Sequence, residues 1–188
     1  MDNMGQGKEE KGNENRMKRA LADTNFYGLL AKDAQRSEVV SSIKTRKELA
    51  IYGFKIVRSE LRDVPKKIKL EGKNLRIDLL SLYDEVTGQK SLKFTDVIAQ
   101  RANDYYRAYR EFGGSKSRYD IINDFAIVAC ASLNNLDIVV SNDEKSMLAE
   151  NAVRAYNLIN SVIKKRTPQF ISYEKFKNIL RGEPNELI

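Results

Sequence analysis

The sequence predicts an α/β domain with a short, mainly parallel sheet. Three observations carry this expectation. Short apolar runs, "KRALA" (18–22), "FKIVRS" (54–59), "LDIVVS" (136–141) and "FIS" (170–172), read as strands. Segments of helical period lie between them, so successive strands are joined by crossovers. The run at 136–141 has few polar breaks, as a strand covered on both faces requires.

Each element follows in order. After the strand at Lys18–Ala22, a helical turn is expected around Phe26–Ala31. Residues 37–53 read as one helix, with Val39, Val40, Ile43, Lys47 and Ala50 in a stripe and Gly53 as its stop. Residues 54–59 then form the second strand, with Ser59 capping a following helix that Pro65 interrupts. Helices are expected at 74–86 and 95–112; the second opens on Thr95, ends at Gly113-Gly114, and buries Ile98, Ala102, Tyr105, Tyr109 and Phe112. Asp120 is expected to cap a helix reaching about Asn134. A helix to about Arg166, a short strand and a terminal helix near Tyr173–Leu180 close the chain. Residues 1–16 are polar and Gly-rich and are expected to be a flexible tail, leaving residues 17–188 as a single domain.

Composition excludes several chemistries. The chain has no histidine, which removes His-based triads and His-ligated zinc. Its one cysteine, Cys130, sits in an apolar run and reads as a small core residue. No apolar stretch approaches the roughly 20 residues of a membrane span, and no secretory segment is visible near the start. A cytoplasmic home without membrane attachment is therefore expected. The net charge of +7 becomes +8 once the net −1 of residues 1–16 is set aside, which suits a polyanionic partner.

Four carboxylates stand out by position. Asp23 ends the first strand, Glu60 follows the second, Asp143 follows the strand at 136–141, and Asp124 lies one turn into the helix expected at 120–134. In a parallel sheet the carboxyl ends of the strands share one edge, where sites are built. Asp124 is the most telling, because Ile121, Ile122, Phe125, Ala126, Val128 and Ala129 surround it with apolar surface. A buried carboxylate is costly unless paired or bound to a cation. Helix-dipole stabilisation is the plainer explanation for Asp124, but Asp120 is expected to fill the capping role already. Singly, Asp23, Glu60 and Asp143 suit ordinary turn and helix-start positions equally well. Together, four acids repel one another unless a divalent cation lies between them. Oxygen-only ligands suit Mg²⁺ or Mn²⁺, which serve phosphodiester hydrolysis.

At this point the sequence resembles the PIN domain, the fold of VapC-type toxin ribonucleases. "LADTN" (21–25) is similar to the opening motif of that family, "DFAIVACAS" (124–132) to its third acidic motif, and "LDIVVSND" (136–143) to the strand and turn that deliver the fourth acid. The resemblance implies a three-layer α/β/α sandwich and a metal-dependent endoribonuclease. Carried over, Asp23, Glu60, Asp124 and Asp143 would be catalytic and would hold Mg²⁺ or Mn²⁺. Glu48 in "TRKELA" is the rival to Glu60 as the second acid. Thr24, Asn25 and Ser141 would orient the carboxylates. RNA is the implied substrate, with Lys66, Lys67, Lys116 and Arg118 as candidate phosphate contacts. A homodimer is implied, together with a small antitoxin protein if the chain is the toxin of such a pair. A non-toxin RNA-processing nuclease and a catalytically inactive binding module remain the alternatives.

Overall fold

The computed structural model describes residues 16–182. Residues 1–15, most of the expected tail, lie outside them. Strand β1 (Lys18–Ala22) leads through Asp23 into α1 (Thr24–Lys32), and α2 (Arg36–Thr45) follows. Next come β2 (Leu49–Phe54), α3 (Lys55–Asp63) and a small hairpin, β3 (Lys69–Leu70) and β4 (Lys73–Asn74), which turns through Glu71 and Gly72 at positive φ. The chain continues with α4 (Leu75–Thr87), β5 (Ser91–Leu92), α5 (Asp96–Glu111) and α6 (Arg118–Leu133). It closes with β6 (Ile138–Val140), α7 (Glu150–Val162), β7 (Gln169–Ile171) and α8 (Tyr173–Arg181).

The main sheet has the order β5-β2-β1-β6-β7, with every neighbouring pair parallel. Helices cover both faces, giving the expected α/β sandwich. Ala20, Leu21 and Ala22 of β1 and all of β6 are buried, which explains their unbroken apolar character. On one side α5, α6 and α7 meet in an aromatic cluster, where Phe125 and Tyr156 stand edge-to-face at 5.5 Å and Tyr105 and Tyr156 at 5.0 Å. Tyr105 and Tyr109 are core residues, as expected. Cys130 is fully buried, and burial pushes its thiol up to about 12, so it behaves as an apolar residue.

Three local expectations are corrected. The helix expected over 37–53 ends at Thr45, and the second strand is Leu49–Phe54, buried at every position but Tyr52. Burial on both faces erased the alternation that would have marked this strand. Gly53 is no helix stop: it lies inside β2, where an added Cβ would come within 2.3 Å of Tyr83 Oη. Residues 55–59, expected as part of the strand 54–59, belong instead to α3 (Lys55–Asp63), so Ser59 is a mid-helix residue and not a cap. Asp120 does not cap α6 either. Ser117 does, accepting from the Asp120 amide at 3.3 Å, while its hydroxyl donates to Asp120 Oδ2 at 2.6 Å.

The amino edge of the sheet is fastened by Asp137. Its carboxylate accepts from the Arg19 amide at 2.8 Å, from Arg166 at 2.6 Å and from Arg16 at 3.3 Å. Opposing its burial, these partners hold the Asp137 carboxyl below its ordinary value. A cavity of about 300 Å³ opens beside it, lined by Lys18 of β1, Leu49 of β2 and Phe176 and Ile179 of α8 among others.

Candidate active site

The strand order reverses between β1 and β6, since the chain moves from β1 to β2 on one side and returns to β6 on the other. Such a switch point leaves a crevice beyond the carboxyl ends of the strands. Asp23 leaves β1 at this crevice, and its amide donates to Val140 O of β6 at 3.0 Å. Its carboxylate also caps α1 by accepting from the Thr24 amide at 2.5 Å. Asn25 Nδ2 donates to Asp23 Oδ2 at 2.7 Å and Ser141 Oγ donates to the same oxygen at 2.9 Å. The motif Asp-Thr-Asn thus serves one purpose locally: its second and third residues fix the carboxylate of the first.

Ser141 and Asp143 come from the turn after β6. Ser141 is fully buried, and its Oγ also accepts the Asp143 amide at 3.1 Å. The Asp143 carboxylate accepts the amides of Lys145 at 3.1 Å and Ser146 at 3.0 Å, and the Ser146 hydroxyl donates to its other oxygen. Glu60 arrives from α3. The Thr24 hydroxyl donates to Glu60 Oε2 and Asn123 Nδ2 donates to Oε1 at 2.7 Å. Asp124 follows Asn123 in the second turn of α6. The first turns of α6 lie at the carboxyl edge, since Asn123 reaches Glu60 and Asp124 feels the charges of Asp23, Asp143 and Glu60.

Electrostatics tie the four acids together. Burial pushes the Asp23 carboxyl up to about 6, against the opposing hydrogen bonds from Ser141 and Thr24, and the charges of Glu60 and Asp143 add to the rise. Burial, then the Asp23 charge, pushes Asp124 up to about 7, with Asp143 and Glu60 contributing further. Among the described residues, no three His, Cys, Asp or Glu side chains stand in ready ligating geometry for one ion. Asp23, Glu60 and Asp143 are each turned toward their own donors instead. The chemistry of the donor set, oxygen-only, crowded and partly desolvated, fits a hard divalent cation.

The structure brings Asp23, Glu60, Asp124 and Asp143 to one crevice, together with Thr24, Asn25 and Ser141. Glu48 lies apart, exposed at the amino edge, where its carbonyl accepts from the Lys18 amide at 2.7 Å. Lys66 and Lys67 are exposed in the segment after α3. Lys116 precedes α6, and Arg118 opens it with Nε donating to Asn103 Oδ1 at 2.9 Å.

Sequence reasoning missed Ser146, Asn123 and Asn142. Asn142 accepts the Tyr173 amide at 2.8 Å through Oδ1, while its own amide donates to Asn25 Oδ1 at 3.2 Å, so it links α8 to the crevice. The signal for Ser146 was present: an Asp followed three residues later by Ser is a turn-forming pair. Asn123 carried no such signal beside the more conspicuous Asp124.

No family model matches the sequence, and no curated protein matches it. Solved structures do. VapBC2 from Rickettsia felis, bound to a DNA fragment from its promoter, contains a chain that superposes with a TM-score of 0.52 at 14% identity, covering 82% of this chain and 98% of that one. A chain of FitAB bound to an IR36 DNA fragment superposes with a TM-score of 0.52 at 15% identity, covering 82% of this chain and 94% of that one. At such identities the likeness is one of fold, and it runs over almost the full length of both neighbours. The chain has a PIN-like three-layer α/β/α fold.

Proposed function

We propose that the protein is a metal-dependent endoribonuclease that hydrolyses RNA phosphodiester bonds, with Asp23, Glu60, Asp124 and Asp143 as its catalytic carboxylates. The observation that carries this reading is the gathering of four acids at the switch-point crevice, where Glu60 and Asp143 raise Asp23, and Asp23, Asp143 and Glu60 raise Asp124. Desolvated acids raised by one another's charge are costly to the fold, and sites of this kind cluster where chemistry is done.

Asp23, Glu60, Asp124 and Asp143 would hold Mg²⁺ or Mn²⁺, which when bound supplies an activated water and countercharge for the departing oxygen. The chain's own groups supply position. Thr24, Asn25 and Ser141 fix Asp23; Ser146 fixes Asp143; Thr24 and Asn123 fix Glu60. Asp124, raised to about 7 by burial and then by the Asp23 charge, gains the most from a cation that offsets this cost. Lys66, Lys67, Lys116 and Arg118 would neutralise the RNA backbone, within a net charge of +7.

The likeness to chains of VapBC2 and FitAB favours a toxin role here with a small antitoxin protein as partner; a homodimer belongs to the same reading. A processing nuclease would use the same chemistry, and the presence of all four acids speaks against an inactive binding module. Among the described residues no helix is long and apolar enough to cross a membrane, which fits action on cytoplasmic RNA.

The deciding experiment incubates the protein with a labelled RNA pool in Mn²⁺ or in chelator. Wild type should cut internally in Mn²⁺ only, and Asp23→Asn and Asp124→Asn should be inactive while folded. Equal cleavage in chelator, or by both variants, would overturn the proposal.

A further inference from the structure

The chain has nine tyrosines, and eight are buried or half-buried. Tyr119 alone is exposed, at 92%, more than any other large apolar side chain among the described residues. It occupies the second position of α6, and four residues later on the same helix face stands Asn123. Asn123 donates to Glu60 Oε1 at 2.7 Å, so one helical turn, roughly 6 Å of rise, separates Tyr119 from a residue holding a catalytic-site carboxylate. Because α6 begins at the carboxyl edge, this ring stands at the mouth of the crevice, not on its far side. Arg118, also exposed, is adjacent, and Lys116 precedes the helix.

An aromatic ring left in water beside cations, next to an acidic crevice, matches a surface that receives an unstacked base while its phosphate is held nearby. We propose that Tyr119 is the stacking platform for an unpaired base flanking the scissile phosphate of a single-stranded RNA. The inference rests on the nuclease reading above. It adds a requirement which that reading does not contain: the substrate must present an exposed base face at this position, so a phosphodiester chain lacking bases, or one whose bases are paired, binds poorly. Because every base has such a face, Tyr119 contributes affinity with little sequence preference.

The chain contains no tryptophan, so Tyr119→Trp installs a single reporter. In chelator, where RNA stays intact, a short oligoadenylate should quench that fluorescence, and an abasic oligomer of equal length and charge should not. Tyr119→Ala should weaken oligoadenylate binding by roughly 5- to 150-fold, the range for one base–aromatic stack, while Tyr119→Phe retains it. In Mn²⁺, Tyr119→Ala should raise KM and leave kcat near wild type. Equal quenching by both oligomers, or wild-type binding by Tyr119→Ala, would overturn the stacking role. The two readings fail separately: a wild type that cuts RNA beside an indifferent Tyr119→Ala removes only the stack, whereas base-dependent quenching in a protein that never cuts removes only the nuclease.

Discussion

Ser141 Oγ donates to Asp23 Oδ2 at 2.9 Å, inside a site from which water is excluded at the serine itself. This bond lowers the Asp23 carboxyl, opposing the burial that raises it. Ser141→Ala should therefore push Asp23 further above about 6 and weaken its grip on a cation. Removing such a supporting partner costs about 10- to 100-fold in metal affinity. Calorimetric titration with Mn²⁺ at neutral pH measures this, and the deficit should narrow as pH rises and Asp23 ionises. An affinity equal to wild type at pH 6 would show that Asp23 needs no such support.

Stability should depend on pH in a definite direction. In the unfolded chain both acids titrate near 3.8, whereas in the fold Asp23 titrates near 6 and Asp124 near 7. Between these limits the folded protein keeps protons that the unfolded chain has released, so metal-free stability falls as pH rises from about 4 to about 7. Asp33 acts oppositely: against its burial, bonds from the Gln35 amide, Lys177 and Tyr173 hold it near 2, and its contribution is lost only as pH drops below about 4 toward that value. Melting curves in chelator across this range should show the decline. Asp124→Asn should flatten it and melt above wild type at pH 7, and Mn²⁺ should then stabilise wild type more than the variant. Identical Mn²⁺ shifts for the two proteins would make Asp124 a structural residue.

Glu60 and Glu48 separate cleanly by position. Glu60→Gln should abolish cleavage, since its carboxylate faces Thr24 and Asn123 at the crevice. Glu48→Gln, at the opposite edge, should leave cleavage within about twofold of wild type and stability within about 0.5 kcal/mol. Cleavage assays on the two purified variants decide it, and the reverse ranking would move the second acid.

Two glycines should respond to alanine with opposite signs. At Gly53 the new Cβ would meet Tyr83 Oη at 2.3 Å, and Tyr83 is pinned by donating to Phe54 O at 3.2 Å, so Gly53→Ala should cost about 1–3 kcal/mol. Gly28 lies within α1, and nothing stands within 4 Å of a Cβ placed there. Gly28→Ala should stabilise by about 0.5–1 kcal/mol. Urea denaturation of both variants provides the comparison.

The legible parts of the site were those written as contiguous residues. Asp23, Thr24 and Asn25 follow one another, and Ser141 and Asp143 share one turn, so local sequence carries their geometry. The α6 segment was legible because apolar residues around Asp124 leave no ordinary reason for a carboxylate there. Strand β2 was not legible as a strand. Its run Leu49–Phe54 is buried on both faces and adjoins α2, so the helical stripe of Val39, Val40 and Ile43 extends into it without a visible break. The two-element error at 37–59 nevertheless left Glu60 near the crevice, because β2 and α3 simply shifted toward the amino end and kept their order. Asn123 and Asn142 act only through contacts distant in sequence, which periodicity does not encode.

The cavity at the amino edge has a practical meaning for handling the molecule. Lys18 near the start of β1 and Ile179 near the end of α8 line the same space of about 300 Å³, so the first and last elements among the described residues are neighbours. Elements that lie together in this way can be joined there and the chain opened elsewhere. A circular permutant that links residue 182 to residue 16 by a short flexible bridge and opens at the Glu71–Gly72 turn would keep every strand of the main sheet in one piece. Reporter fusions and surface tethers attached at this edge would likewise leave the opposite mouth of the molecule facing solution.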